Sequence, residues 1–269
     1  MSFHLQAEWS ALRVTLKKNL EGAMELRTGF LLQVCGMMLN NIAFLVGWMF
    51  FFKIFGTINH WSIPETIGLQ GMVALVYGIG FTFGSGMTEL SDYVHQGVFD
   101  QFLLSPRNLY LRILSSKLRV SAIGDCFFGL ILLIIYTIQA SLSLGQIMML
   151  LLFIPPTILL FCNISLLTSL LAFFVPDSSI LSRNLFEAFF APSMYPASLY
   201  QGVVRTVFLY IIPSLMIGGL PVEAIRDHRA SLLGFSWGIS LVWMLLTLVL
   251  LRRAIRRYES GNLTGARVI

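Results

Sequence analysis

The chain has 269 residues, 57% of them hydrophobic and only 12% charged, with a mean hydropathy of +0.80. An ordinary globular domain carries roughly 25% charge, so a soluble protein of this length is excluded for want of a polar surface. The net charge of +5 reads as membrane sidedness, because cytoplasmic segments collect Lys and Arg; a nucleic-acid binder would need a polar face to carry its basic patch.

The first 28 residues are polar and mixed in charge. Leu5, Trp9, Leu12, Leu16, Leu20 and Ala23 recur every three or four positions, while Arg13, Lys17, Lys18 and Glu21 fall largely off that stripe. The pattern predicts a basic amphipathic helix, lying in the membrane interface or packed on a cytosolic partner. The first apolar run begins near Phe30, too late and too long for the core of a cleavable signal.

A membrane span needs about 20 mostly apolar residues. Six candidates follow: 30–52, 67–87, 118–139, 144–175, 203–220 and 231–251. Pro155-Pro156 in the fourth predicts a kink or break, since each proline frees a carbonyl. Pro213 in the fifth, with Gly218, Gly219 and Pro221 after it, predicts a bend or an early end. Segment 181–198 holds Arg183, Glu187 and two prolines, and reads as a short interfacial helix leading into the fifth span.

Six spans sort the basic residues sharply. Arg13, Lys17, Lys18, Arg27, Arg107, Arg112, Lys117, Arg119, Arg183, Arg205, Arg252, Arg253, Arg256, Arg257 and Arg267, fifteen in all, share one side; Lys53, Arg226 and Arg229 take the other. That asymmetry predicts both termini in the cytoplasm. A five- or seven-span arrangement would place the C-terminal basic cluster outside.

The residues for catalysis are not assembled. His4, His60, His95 and His228 are far apart, so spacing builds neither a metal site nor a triad. Lys17, Lys18, Lys53 and Lys117 lack the glycine-rich context and following Ser or Thr of a phosphate-binding loop, so this chain cannot hydrolyse ATP by that route. Cys35, Cys126 and Cys162 sit in apolar runs without CxxC spacing and read as small hydrophobes. Acidic residues avoid the span centres, which argues against proton- or ion-coupled transport.

Two groups of residues within spans invite a functional reading. Gly80 and Gly84 form a GxxxG pair that permits close helix approach, within the chain or between subunits. Asn40, Asn41, Tyr77, Thr82 and Ser85 place polar groups inside the first two spans, lining a path or bonding to neighbouring helices.

The loop 88–117 is the most informative segment. Leu90, Val94, Val98 and Phe102 recur every fourth position, Asp92, His95 and Asp100 give a polar side, and Ser105-Pro106 ends the pattern. The spacing predicts a short amphipathic helix from about Ser91 to Leu104, either transmitting force from a partner or lying unpartnered in the interface.

The run Val94-His95-Gln96-Gly97-Val98-Phe99-Asp100-Gln101-Phe102-Leu103-Leu104-Ser105-Pro106 resembles the ABC-2 type permeases, in the six-helix branch that includes viologen and multidrug exporter-like proteins. Tyr195-Pro196, Ile212-Pro213, Gly219-Leu220-Pro221 and the tail Arg256-Arg257-Tyr258-Glu259-Ser260 agree in order and spacing, so the resemblance covers nearly the whole chain. His95-Gln96 stand where relatives often carry Arg.

The resemblance implies an all-α integral membrane fold of six transmembrane helices with an N-terminal interfacial helix, a type V exporter-like architecture filling 1–269 as one domain. It implies a permease of an ATP-driven exporter in the bacterial-type inner membrane, without nucleic-acid partners. A second permease, identical or a sibling, would join it, with two copies of a separate ATPase that holds ATP and Mg. The loop would be the coupling helix on that ATPase, with Asp92, His95, Gly97, Asp100, Leu103, Ser105, Pro106 and Arg107 at the contact. Residues 213–229 would form an outer re-entrant segment. Amphiphilic or cationic organic substrates fit the aromatic content. The contrasting reading is a non-transporting membrane scaffold or assembly factor.

Overall fold

A computed structural model describes residues 2–57, 61–104 and 107–258, and among them the regular structure is helical. In chain order the helices are α1 (Ser2–Met24), α2 (Arg27–Phe55), α3 (Ile63–His95), α4 (Asp100–Leu103), α5 (Leu109–Ser115), α6 (Ser121–Gln139), α7 (Leu144–Ser169), α8 (Ser179–Phe190), α9 (Gly202–Thr206), α10 (Gly219–Arg226) and α11 (Ser231–Arg257). Five are long and apolar enough to cross a membrane: α2, α3, α6, α7 with its 3-10 extension to Phe173, and α11.

Helix α3 is the hub. It runs for 33 residues and is buried along most of its length, whereas α2 packs mainly on α6 and leaves the rest of its surface open. Its start is fixed by a capping box, in which Glu65 Oε2 accepts from the Ser62 backbone N–H at 3.0 Å and offsets orphan donors of the first turn. Glycines let α3 approach its neighbours. A Cβ on Gly129 of α6 would lie 2.5 Å from the Leu75 nitrogen, and a Cβ on Gly71 would lie 3.1 Å from the Leu133 nitrogen. Backbones this close exclude any side chain and maximise dispersion contact, the main attraction available inside lipid.

Pro155 and Pro156 do not break α7, which stays a single helix. Hydroxyls crowd the site: Thr157 donates to the Phe153 and Ile154 carbonyls at 2.9 and 2.8 Å, and Ser240 of α11 donates to Pro156 O at 2.8 Å. These bonds tie the proline turn to its own helix and to α11; the carbonyls that the two prolines free are those of Leu151 and Leu152, one turn earlier.

The expected fifth span, 203–220, is not one helix. It consists of α9, a π-helical turn over 207–211, a break at Pro213, a 3-10 turn over 214–216 and the start of α10. The expected interfacial helix over 181–198 instead runs along α3 from end to end. Ser178 meets His95, Arg183 meets Asp92, Phe186 meets Phe81, Phe190 meets Tyr77, and the Met194 carbonyl accepts from Gln70 at 2.9 Å. With the 3-10 turn at 191–194, this stretch rises about 25 Å.

Residues 213–225 are buried. They pack at the end of the bundle where α3 and α7 begin: Gln146 donates to the Ile225 carbonyl at 3.2 Å, and the Arg226 guanidinium lies 5.8 Å from the Trp61 ring. Arg205 belongs to this end too, bound to the mostly buried Glu223 at 2.5 Å and donating to the Ala197 carbonyl at 3.2 Å. It therefore leaves the basic side to which the sequence assigned it, and among the described residues the split is thirteen to four. An Arg inside the apolar run VVRTVFLYII was the available sign that a partner acid was needed.

Arg205→Gln is expected to lower folding stability by about 3 kcal/mol, because it strands a buried carboxylate. Glu223→Gln added to it should recover part of the loss, as a double-mutant cycle on thermal unfolding in detergent would measure. Additive losses would show that the pair contributes nothing.

Candidate coupling surface

At the end where α3 finishes, the helix stops at His95. Gly97 has a φ of 71°, in the left-handed region that a residue with a Cβ enters at a cost. Gln96 N–H donates to Asp92 O, Gly97 N–H to Val94 O and Phe99 N–H to Tyr93 O, at 2.9, 3.2 and 3.0 Å, so the glycine turn satisfies α3's last carbonyls. The expected helix over Ser91–Leu104 is thus two pieces, the tail of α3 and the single turn α4. The four-residue stripe continued across the break because Leu90, Val94 and Phe102 all pack against the bundle core.

The turn is tied firmly to what lies behind it. Phe99 is fully buried, with ring centroids 5.1 Å from Phe173 and 4.9 Å from Tyr258. Phe102 stacks on Tyr93 at 5.5 Å. Arg112 of α5 donates to the Phe102 and Gln101 carbonyls and lies over the Phe102 ring. Helix α1 joins through Asn19, which donates to the Ser115 carbonyl at 2.9 Å, and Glu8, which accepts the Asn108 N–H at 2.9 Å. Ends of α1, α3, α7 and α11 therefore meet around one tip, and the tip exposes Gln101, Leu103, Leu104 and Arg107. Leu104 is 85% exposed.

The predicted contact residues divide. Leu103 and Arg107 are exposed at the tip, and Gly97 forms the turn. Asp100 is half-buried at the start of α4. Asp92 and His95 serve the chain internally: Asp92 accepts from Arg183 at 2.7 Å, and His95 Nε2 accepts the Ser178 N–H at 3.2 Å, holding the start of α8 against the end of α3. Ser105 and Pro106 lie outside the described residues. A second charged tie was not read from the sequence. Glu89 binds Lys117 at 3.0 Å and Arg119 at 4.0 Å, joining α3 to the entry of α6. Burial pulls the Arg119 guanidinium below its usual range despite these acids.

Residues 38–262 match the family described as ABC-2 family transporter protein. The chain belongs to that family. It is thus a permease component of an ABC transporter, a multi-pass membrane protein that is not itself the catalyst and works with an ATP-binding subunit. No curated protein and no solved structure matches it.

The other residues singled out in the permease have these places. Gly80 and Gly84 face α7: a Cβ on Gly80 would collide with the Phe161 ring, and one on Gly84 would lie 3.2 Å from Cys162 Sγ. Asn41 donates to Asp125 Oδ1 at 2.5 Å, linking α2 to a carboxylate buried in α6. Thr82 Oγ1 lies 4.0 Å from Cys126 Sγ, and Ser85 donates to the Phe81 and Lys117 carbonyls. The Tyr77 ring joins an aromatic cluster with Phe81, Phe161 and Phe190. Asn40 is exposed on the open side of α2, as is Cys35, which departs from the buried role read for the cysteines. Asn41 and Thr82 thus reach side chains of α6, and Ser85 reaches its own helix and the stretch before α6.

Proposed function

We propose that this permease is the membrane half of an ATP-driven exporter, and that its ATPase docks on the tip formed by residues 96–104 and 107–108. The observation that carries this reading is the convergence of α1, α3, α7 and α11 on that exposed tip. A push on Leu103, Leu104 and Arg107 would pass through Phe99, Phe102 and Arg112 into helices that traverse the bundle. The described chain starts and ends at this same end, where thirteen of the seventeen described basic residues gather, which fits a cytoplasmic face. With 179–194 as the fifth crossing, the spans number six, and 197–229 forms the outer re-entrant segment. Two copies of the ATPase hold ATP with its Mg, and a second permease subunit, identical or a sibling, completes the path. The cargo class is an amphiphilic organic compound.

Single cysteines in a cysteine-free permease test the orientation and the dock together. On intact cells His228→Cys should react with an impermeant maleimide, while Asn108→Cys should react only after permeabilisation. In inside-out vesicles, adding the ATPase should slow labelling of Leu104→Cys at least about tenfold, as burial in a protein interface does. Labelling of Asn108→Cys from outside would overturn the orientation. Unchanged labelling of Leu104→Cys would remove the tip from the ATPase contact and favour a scaffold role.

A further inference from the structure

Close behind the coupling tip, α3, α7, α8 and the entry of α6 surround a cavity of about 110 Å³. Thr88, Arg119, Thr168, Ser169, Ser182, Arg183 and Glu187 supply its polar lining. Two guanidiniums therefore line the cavity with one carboxylate, and Glu187, like Arg183, sits at its exposed edge. The neighbouring acids do not use up the arginines. Asp92 takes one Nη2 of Arg183 at 2.7 Å, and Lys117 holds Glu89 at 3.0 Å, leaving Arg119 at 4.0 Å from it. A guanidinium carries five N–H donors in a fixed fork. Arg119 is held in place by the Phe81 ring, with its Cζ 4.0 Å from the centroid.

The hydroxyls point the same way. Thr88 donates to the Ser85 carbonyl at 2.8 Å and Ser169 to the Thr88 carbonyl at 3.2 Å. Ser182 is 2% exposed and its Oγ has no hydrogen-bond partner among the described residues. A buried hydroxyl left unpaired costs free energy unless something in the cavity accepts from it. An acceptor in the cavity would serve Ser182 and the N–H donors that the two guanidiniums keep beyond their ion pairs.

We propose that this pocket binds an oxyanion, the phosphate, sulfate or carboxylate head of an amphiphilic substrate entering from the coupling side. Guanidinium forks match the planar or tetrahedral oxygens of such groups, and Ser182 donates to a further oxygen. The volume admits a head group, so a hydrocarbon tail would leave past Phe81 and Phe186, which also line the cavity. The assignment of this ligand as cargo rests on the export reading; the charge preference of the pocket does not.

The test uses Ser182→Cys in a permease whose Cys35, Cys126 and Cys162 are replaced by alanine, reconstituted in nanodiscs. Its rates of reaction with sulfonatoethyl and trimethylammonium-ethyl methanethiosulfonate are compared, each divided by the rate with a free thiol. The anionic reagent is expected to be favoured at least about tenfold by two nearby positive charges. Arg119→Gln should reduce that ratio severalfold and Arg119→Lys should keep it; Arg183→Gln serves if Arg119→Gln fails to reach the membrane. Slowing by dodecyl phosphate but not by equal inorganic phosphate assigns the site to an amphiphile's head, and slowing by both assigns it to free oxyanions. No labelling, equal rates, or no slowing by either compound overturns the proposal. A permease with the charge preference and the protection but no export in the assembled transporter would overturn the export reading and leave the pocket standing.

Discussion

Gly97→Val is expected to abolish export while leaving the permease at normal levels in the membrane. The φ of 71° at this position costs a residue with a Cβ about 1–2 kcal/mol, and a β-branched residue is a genuine outlier there. The strain falls on the turn that ends α3 and orients α4. The chain would relieve it by leaving the left-handed region, carrying Leu103, Leu104 and Arg107 out of register with Phe99 and Phe102. Nothing in the apolar spans changes, so insertion survives. Gly97→Asn provides the contrast, because asparagine enters the left-handed region routinely. Export and substrate-stimulated ATP turnover should therefore fall at least about tenfold in the valine variant, the equivalent of about 1.4 kcal/mol, and should be nearly preserved with asparagine. Wild-type export from Gly97→Val would detach the tip from coupling.

Gly129→Val is expected to do something different, removing the folded permease rather than its coupling. A Cβ there would sit 2.5 Å from the Leu75 nitrogen, 2.8 Å from the Leu75 Cα and 2.9 Å from the Gly71 carbonyl oxygen. All three are backbone atoms of the central helix, so no rotamer change makes room and α6 must move off α3. Overpacking of this kind costs about 3 kcal/mol or more, a large part of the stability of an ordinary domain. Thermal unfolding in detergent and the yield of monodisperse protein report the loss. Gly145→Ala, at a glycine where an added Cβ would meet nothing within 4 Å, should leave both unchanged. If Gly129→Val unfolds at the wild-type temperature, the α3–α6 contact is looser than these distances require.

Sequence alone determined a good deal here. A chain with 12% charge in separated clusters has to place long apolar runs in lipid, and hydropathy located α2, α3, α6, α7 and α11 because each satisfies its own backbone along its length. The missing phosphate-binding loop and the order of the proline and glycine motifs pointed to a permease that needs a partner, and the family match agrees. A period-of-four stripe found the tip, although it ran through a helix end: periodicity records which residues face the core, and a glycine turn can keep the same face buried on both sides.

What the tertiary structure decided were the matters that depend on pairing between distant residues. Hydropathy read 203–220 as a span and 181–198 as interfacial, because Arg183 and Glu187 count against a span; the structure breaks the first at Pro213 and lays 179–194 along α3. Asp92, 91 positions before Arg183, offsets that charge only once α8 lies along α3. Arg205 was placed on the wrong end because its partner, Glu223, lies beyond a proline break. Pro155 and Pro156 read as a kink or break because each removes a helical donor, yet α7 stays one helix where it packs between α3 and α11. The two arginines that line the cavity behind the tip are likewise 64 positions apart in the chain, as their numbers give. Local composition prices each polar residue as if it faced lipid alone; the fold changes the sign of that cost by supplying the partner.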